Sequence, residues 1–197
     1  NFSLFALLAF IVLGLIKERQ LLTLGLLPML GIVIALGPVA WVGWRHRGSA
    51  RGHRLQALTV LTLFLTFDLV LFGAFTRLTD SGLGCPDWPG CYGKASPVGA
   101  RAEITAAQTA MPTGPVTHGK AWIEMIHRYL ATGVGVLIIA MTASAWVQHR
   151  AWRHAKASTA HAGPAPGGSP WWPTFTLLWV CLQGAFGALT VTMKLFP

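Results

Sequence analysis

Glu124 and His127 stand three residues apart in the run Glu124-Met-Ile-His-Arg128, inside a long apolar stretch. At 3.6 residues per turn and 1.5 Å per residue, a helix puts both on one face, about 4.5 Å apart along its axis. Ionisable groups within a membrane helix are expensive and mark functional sites by default. A neutral imidazole facing a bundle interior needs a partner, and a metal or heme iron is one that a ring nitrogen suits. Glu124 has a plainer alternative. Lys120 and Arg128 each lie four residues away and can pair with it, and a carboxylate favours a helix N-terminus.

Cys85 and Cys91 form a second candidate in Gly84-Cys-Pro-Asp-Trp-Pro-Gly-Cys91. Two prolines and a glycine make a tight loop, and an oxidising compartment favours a disulfide there. Two cysteines alone do not complete a tetrahedral metal site, so a redox-active pair is the main alternative. Cys181, within another apolar run, reads as a small buried apolar residue. Asp68 is stranded among apolar neighbours and is expected to turn inward to a polar group, with Gln183 a candidate. His118 reads as a solvated loop histidine, and His149, His154 and His161 as solvated members of a basic linker.

The elements that hold these residues must be membrane helices. Hydrophobic residues make up 53% of the 197 and charged ones 11%, with a mean hydropathy of +0.55. A soluble domain carries about 25% charged residues, because its surface faces water. The net charge of +9 does not imply nucleic acid, since the basic residues cluster between apolar runs and no soluble basic domain is left to grip phosphate. Anionic headgroups of the inner leaflet are their natural counterpart.

A bilayer core needs about 20 apolar residues of helix. The runs 21–44, 55–76, 121–147 and 171–193 meet that length, and 1–16 is a shorter fifth. The fold class is therefore all-α, a polytopic transmembrane helical bundle with four to five membrane helices. Pro28 and Pro38 predict a kink in the first full-length run. Residues 45–54 carry Arg45, Arg47, Arg51 and Arg54 without an acid, and 148–170 carry Arg150, Arg153 and Lys156 without one. The stretch 77–120 mixes both signs. The positive-inside rule puts the first two in the cytoplasm and the third outside. Trp41, Trp44, Trp146, Trp171 and Trp172 then fall near the inner interface and Trp122 near the outer. Residues 157–170, rich in Ala, Gly, Pro and Ser, read as a flexible linker. One internal echo pairs Phe72-Gly-Ala-Phe-Thr76 with Phe186-Gly-Ala-Leu-Thr190, late in two helices that run outward. Small residues there let helices approach closely, and a duplicated helical hairpin explains the echo equally well. The chain opens on Asn1, and 1–16 lacks the small-residue cleavage site of a signal peptide. It reads as a piece of a longer chain.

Three ordered motifs resemble heme A synthase: Thr76-Arg-Leu-Thr-Asp-Ser-Gly-Leu-Gly-Cys-Pro-Asp-Trp-Pro-Gly-Cys91, then Glu124-Met-Ile-His-Arg128, then Gln183-Gly-Ala-Phe-Gly-Ala-Leu-Thr-Val191. The resemblance covers about 55–197 and is to bacterial members with an external cysteine pair. It implies an eight-helix protein of two similar four-helix halves, which oxidises a ring methyl of heme O to the formyl group of heme A for cytochrome oxidase. Residues 55–197 would be its N-terminal half without the last helix, and 1–54 would be extra hydrophobic segments and a basic inner loop.

By the same resemblance His127 is an axial ligand to heme iron, Glu124 the catalytic carboxylate, and Cys85 and Cys91 the external disulfide. Arg77 and Arg128 are candidate propionate partners. The partner histidine belongs to the helix that would follow residue 197, and heme B is implied as cofactor of the second half. The implied setting is the bacterial inner membrane, with the site near the external face. The implied partners are heme O, heme A, membrane lipid, a heme O synthase, cytochrome oxidase assembly factors and further copies of the chain, with no nucleic acid among them. The rival readings are a heme-binding membrane assembly factor that does not oxidise its heme, a membrane thiol oxidoreductase, and a structural oxidase subunit.

Overall fold

Lipid offers the backbone no hydrogen bonds, so a chain this apolar must close them inside its own helices. The computed structural model describes residues 32–33, 36–48, 51–158 and 169–193. Four helices organise them: α1 (Arg51–Leu78), α2 (Arg101–Ala110), α3 (His118–Ser158) and α4 (Trp171–Thr192). Three of these, α1, α3 and α4, are long and apolar enough to cross a membrane, and the chain is a multi-pass membrane protein. The expected runs 55–76, 121–147 and 171–193 fall on them. Of 21–44 only the end is described, as helix over 36–45 that includes Pro38. Pro28 and the 1–16 segment lie outside the described residues.

The third helix is longer than its apolar run. Its 41 residues span about 60 Å, twice the hydrocarbon thickness of a bilayer. The extension comes mostly at the end assigned to the cytoplasm, where 148–158 continues as helix. The expected linker is thereby shortened, and His161 falls outside the described residues.

Among the described elements α3 is central. It packs against α1 and α4, and against α2 near its own start, while α1 and α4 do not pack on each other. Further along α3, Trp146 Nε1 donates to Thr174 Oγ1 at 3.0 Å and Thr142 Oγ1 to the Pro173 carbonyl at 3.1 Å. Trp146 also meets Trp171 edge to face, 5.4 Å between centroids. The outer faces of α1 and α4 remain largely uncovered by this chain.

Several side chains lie elsewhere than expected. Cys181 is exposed on α4, because that helix meets α3 on another face. Asp68 and Gln183 are both exposed and do not meet, since α1 and α4 are held apart by α3. His149 is partly buried between Trp146 and Trp152, not solvated, because α3 continues through this stretch and sets the two indoles about one turn to either side of it. His118 opens α3 and is likewise engaged, with Nε2 2.9 Å from Thr105 Oγ1 and its amide donating to Gln108 Oε1 at 3.1 Å.

Residues 79–117, between α1 and α3, form a packed cap. Cys85, Cys91, Ala100 and Ile104 of the cap bury together with Ala121 and Met125 of α3, and Tyr92, Val116 and Tyr129 pack around them. Burial of this cluster brings the first turns of α3 under the cap, which is where Glu124 and His127 stand.

Candidate functional site

The site lies at the capped end of α3, where one helix presents different side chains to two neighbours. Glu124 faces the cap and is buried, 4% exposed. Its Oε2 accepts the Cys85 backbone N–H at 2.7 Å, and its Oε1 pairs with Arg128 Nη2 four residues on. Of the two cations in reach by sequence, the structure selects Arg128. Lys120 pairs instead with Asp80 of the cap, Nζ to Oδ2 2.8 Å.

Arg128 binds the cap as well as Glu124. Its Nη1 donates to the carbonyls of Gly90 at 2.5 Å, Asp87 at 2.8 Å and Pro89 at 3.3 Å. Charge-assisted bonds of this kind are stronger than neutral ones. They hold the loop between the two cysteines against α3, and they occupy both terminal nitrogens of the guanidinium. Arg77, in the last turn of α1, is exposed.

Cys85 and Cys91 form a disulfide, with S–S 2.09 Å and Cα–Cα 4.9 Å, and both residues are fully buried. The loop has other fastenings. The Asp87 carboxylate accepts the amides of Tyr92 and Gly93, each at 2.6 Å, which supports the left-handed backbone of Tyr92, φ 50°. Burial, followed by the charges of Asp87 and Glu103, pushes the Tyr92 phenol above its ordinary range. Tyr129 of α3 donates to the Ala95 carbonyl at 2.6 Å. At Gly84 the cap touches α3 backbone to backbone: a methyl there would lie 2.5–2.7 Å from main-chain atoms of Lys120 and Ala121.

His127 faces α1 rather than the cap. Its ring lies nearly parallel to Phe72, 6.3 Å between centroids at 16°, and its Nε2 lies against Gly73. It is half-buried and makes no hydrogen bond among the described residues. Glu124 and His127 therefore share one stretch of helix but look towards different neighbours.

The arrangement offers one imidazole in an apolar setting beside a fixed ion pair. No three His, Cys, Asp or Glu side chains gather to hold a bare metal ion among the described residues. A porphyrin-bound iron needs only axial ligands, so a single imidazole suits heme. Sequence reasoning did not identify Phe72 and Gly73 as the neighbours of His127, or Gly84 as the contact that seats the cap. The Phe72–Thr76 echo was the available signal for the first pair.

Comparison with known proteins bears on what the site does. The family described as COX15-CtaA, cytochrome oxidase assembly protein, matches residues 56–197. A protein named heme A synthase from Shewanella oneidensis is 40% identical over 144 residues, covering 73% of this chain and 38% of its own length. A heme A synthase from Chelativorans sp. is 34% identical over 121 residues, 55% of this chain and 34% of its own. One from Lysinibacillus sphaericus is 29% identical over 144 residues, 73% and 37%. The chain thus spans little more than a third of the length of these curated relatives. No solved structure matches.

Proposed function

The chain belongs to the COX15-CtaA family of cytochrome oxidase assembly proteins, and on that premise we propose that the complete protein is a heme A synthase, oxidising a ring methyl of heme O to a formyl group. The names of its relatives support the reaction. One observation carries the site: His127 is half-buried and makes no hydrogen bond among the described residues. Such an imidazole, with its ring turned from α1, would suit the iron of the substrate heme.

When bound, heme supplies the redox capacity of the reaction. The chain's own residues supply position and charge. His127 holds the iron at the outer end of α3. Glu124, one turn earlier, contributes a negative charge fixed before the reaction begins, able to stabilise positive charge developing at the ring methyl or to orient a water. Arg77, exposed at the end of α1, is the propionate partner in this scheme, because both terminal nitrogens of Arg128 are taken by Glu124 and the cap. The partner histidine would come from a further helix of the same half, and a heme B cofactor would belong to a second half like the first. The site would open to the external side of a bacterial inner membrane, with heme O and heme A exchanged there with the enzymes before and after it.

A second reading has an observation in its favour. Both Glu124 oxygens are engaged by the protein, which suits a heme-holding assembly factor in which the carboxylate anchors the cap. The thiol oxidoreductase reading lacks such support. Exchange needs a thiolate to reach a sulfur, and both cysteines here are fully buried. The deciding experiment is the identity of the heme extracted from the complete protein, made where heme O is present and no other source of heme A exists.

A further inference from the structure

Past its apolar run α3 continues as helix over 148–158, and one side of this extension has no part in the site under the cap. His149, Trp152, Arg153 and Lys156 recur at steps of three and four residues, so they share a helix face. With Ala157 they line an open recess of about 440 Å³, within the usual range of small-molecule sites, about 300–1,000 Å³. One and two turns before His149 the same face carries Trp146 and Thr142, which bond to Thr174 and Pro173. The recess therefore opens where the contact with α4 stops, next to the first turn of α4, whose Trp171 meets Trp146. A helix start favours negative charge nearby.

The side chains of the recess favour it too. No acidic residue occurs in 36–54 or 148–180, so Arg153 and Lys156 have no carboxylate to pair with at this end of the molecule. Lys156 Nζ sits 5.1 Å from the centroid of the Trp152 ring, which seats the ammonium over an aromatic face. His149 stands between Trp146 and Trp152. Its Nδ1 is shut from solvent and has no hydrogen-bond partner among the described residues. An orphaned acceptor is tolerated more readily than an orphaned N–H, which puts the ring proton on Nε2 as a donor. Two cations and one N–H donor on a single face suit the oxygens of a phosphate.

Depth identifies the carrier of that phosphate. His149 lies two residues beyond the apolar run 121–147, where a membrane helix enters the headgroup layer. Trp146, Trp152, Trp171 and Trp172 gather at the same level, as an aromatic belt does. A lipid phosphate is held at this level by its own acyl chains, whereas a free ion is not. We infer that the recess is a binding site for the headgroup of one anionic phospholipid, held by Arg153, Lys156 and the His149 ring. It stands about 33 Å along α3 from His127 and does not depend on the heme.

The test uses the complete protein in detergent with phosphatidylglycerol or phosphatidylcholine of the same acyl chains, and counts bound lipid by native mass spectrometry. One phosphatidylglycerol should be retained in preference to phosphatidylcholine. Arg153→Gln and Lys156→Gln should each weaken that retention about fivefold. Both residues are exposed, so neither change disturbs the fold. Arg47→Gln removes the same charge from an exposed position outside the recess and should leave retention unaltered. His149→Phe keeps a ring between the indoles without an N–H, and should lower retention with no change of net charge. Equal losses from Arg47→Gln and Arg153→Gln would mean diffuse attraction and overturn the site, as would equal retention of the two lipids. Displacement of phosphatidylglycerol by millimolar inorganic phosphate would assign the recess to the free ion and overturn the lipid.

Discussion

Both carboxylate oxygens of Glu124 are in use, one by Arg128 and one by the Cys85 amide, and this decides which substitution can report on its chemistry. Glu124→Ala leaves Arg128 Nη2 and the buried Cys85 amide without their carboxylate partner, and breaking a buried ion pair costs about 3–5 kcal/mol. Loss of activity in that variant would mix catalysis with a loosened cap. Glu124→Gln keeps an oxygen for the Cys85 amide and removes the charge. In the complete protein it should retain heme while lowering heme A formation on the order of a hundredfold, the usual effect of losing one preorganised charge. Extracts should then contain heme O. Undiminished heme A from Glu124→Gln would make the residue an anchor for the cap and favour the assembly-factor reading. At this scale the sequence showed the shared turn of Glu124 and His127, because periodicity alone places them. It did not choose between Lys120 and Arg128, since Lys120 is drawn away by Asp80, forty residues distant in the chain. Nor did it show that His127 faces Gly73, because periodicity describes one helix and not its neighbour.

At the scale of elements, the cap is a unit whose parts are fastened to α3 by Arg128, Glu124, Tyr129 and the close approach at Gly84. The disulfide closes a separation of six residues within it, and a loop of that size contributes about 2–3 kcal/mol. Replacing both cysteines with Ala should lower the melting temperature and the heme retained on purification, while the heme product stays the same in kind. Alkylation of protein taken from intact membranes should modify Cys85 and Cys91 only after reduction; free thiols at both would refute the assignment. The membrane helices were legible from their apolar length, because lipid leaves the backbone no other choice. Their ends were not. Residues 148–158 are polar enough to leave the bilayer yet contain no Gly or Pro, so the helix simply continues. Packing of the cap was equally hidden, since its contacts join residues 79–117 to α3 over long stretches of chain.

At the scale of the whole molecule, the three helices long enough to cross a membrane among the described residues, with α3 at the centre, put the cap at one end and the basic residues of 148–158 at the other. By the positive-inside rule the cap is expected on the external side. A cysteine at Lys94 should be labelled in intact cells by an impermeant thiol reagent, and one at Ala157 only after the cells are opened, with Cys181 replaced in both. Labelling of the Ala157 cysteine in intact cells would reverse the topology and move the site to the cytoplasmic side. Composition carried the membrane class in full, and three short motifs carried the family. Exposure of Asp68 in mid-helix was not legible, because it depends on α1 and α4 lying on different sides of α3.

The most direct test of the account joins the site to the reaction. The complete protein, with and without His127→Ala, is made in cells that supply heme O and have no other source of heme A, then purified, and its heme is extracted and identified. Heme A is expected from the unaltered protein, and from His127→Ala both reduced heme at this site and no heme A. Heme A formed in equal amounts by the two proteins would contradict that.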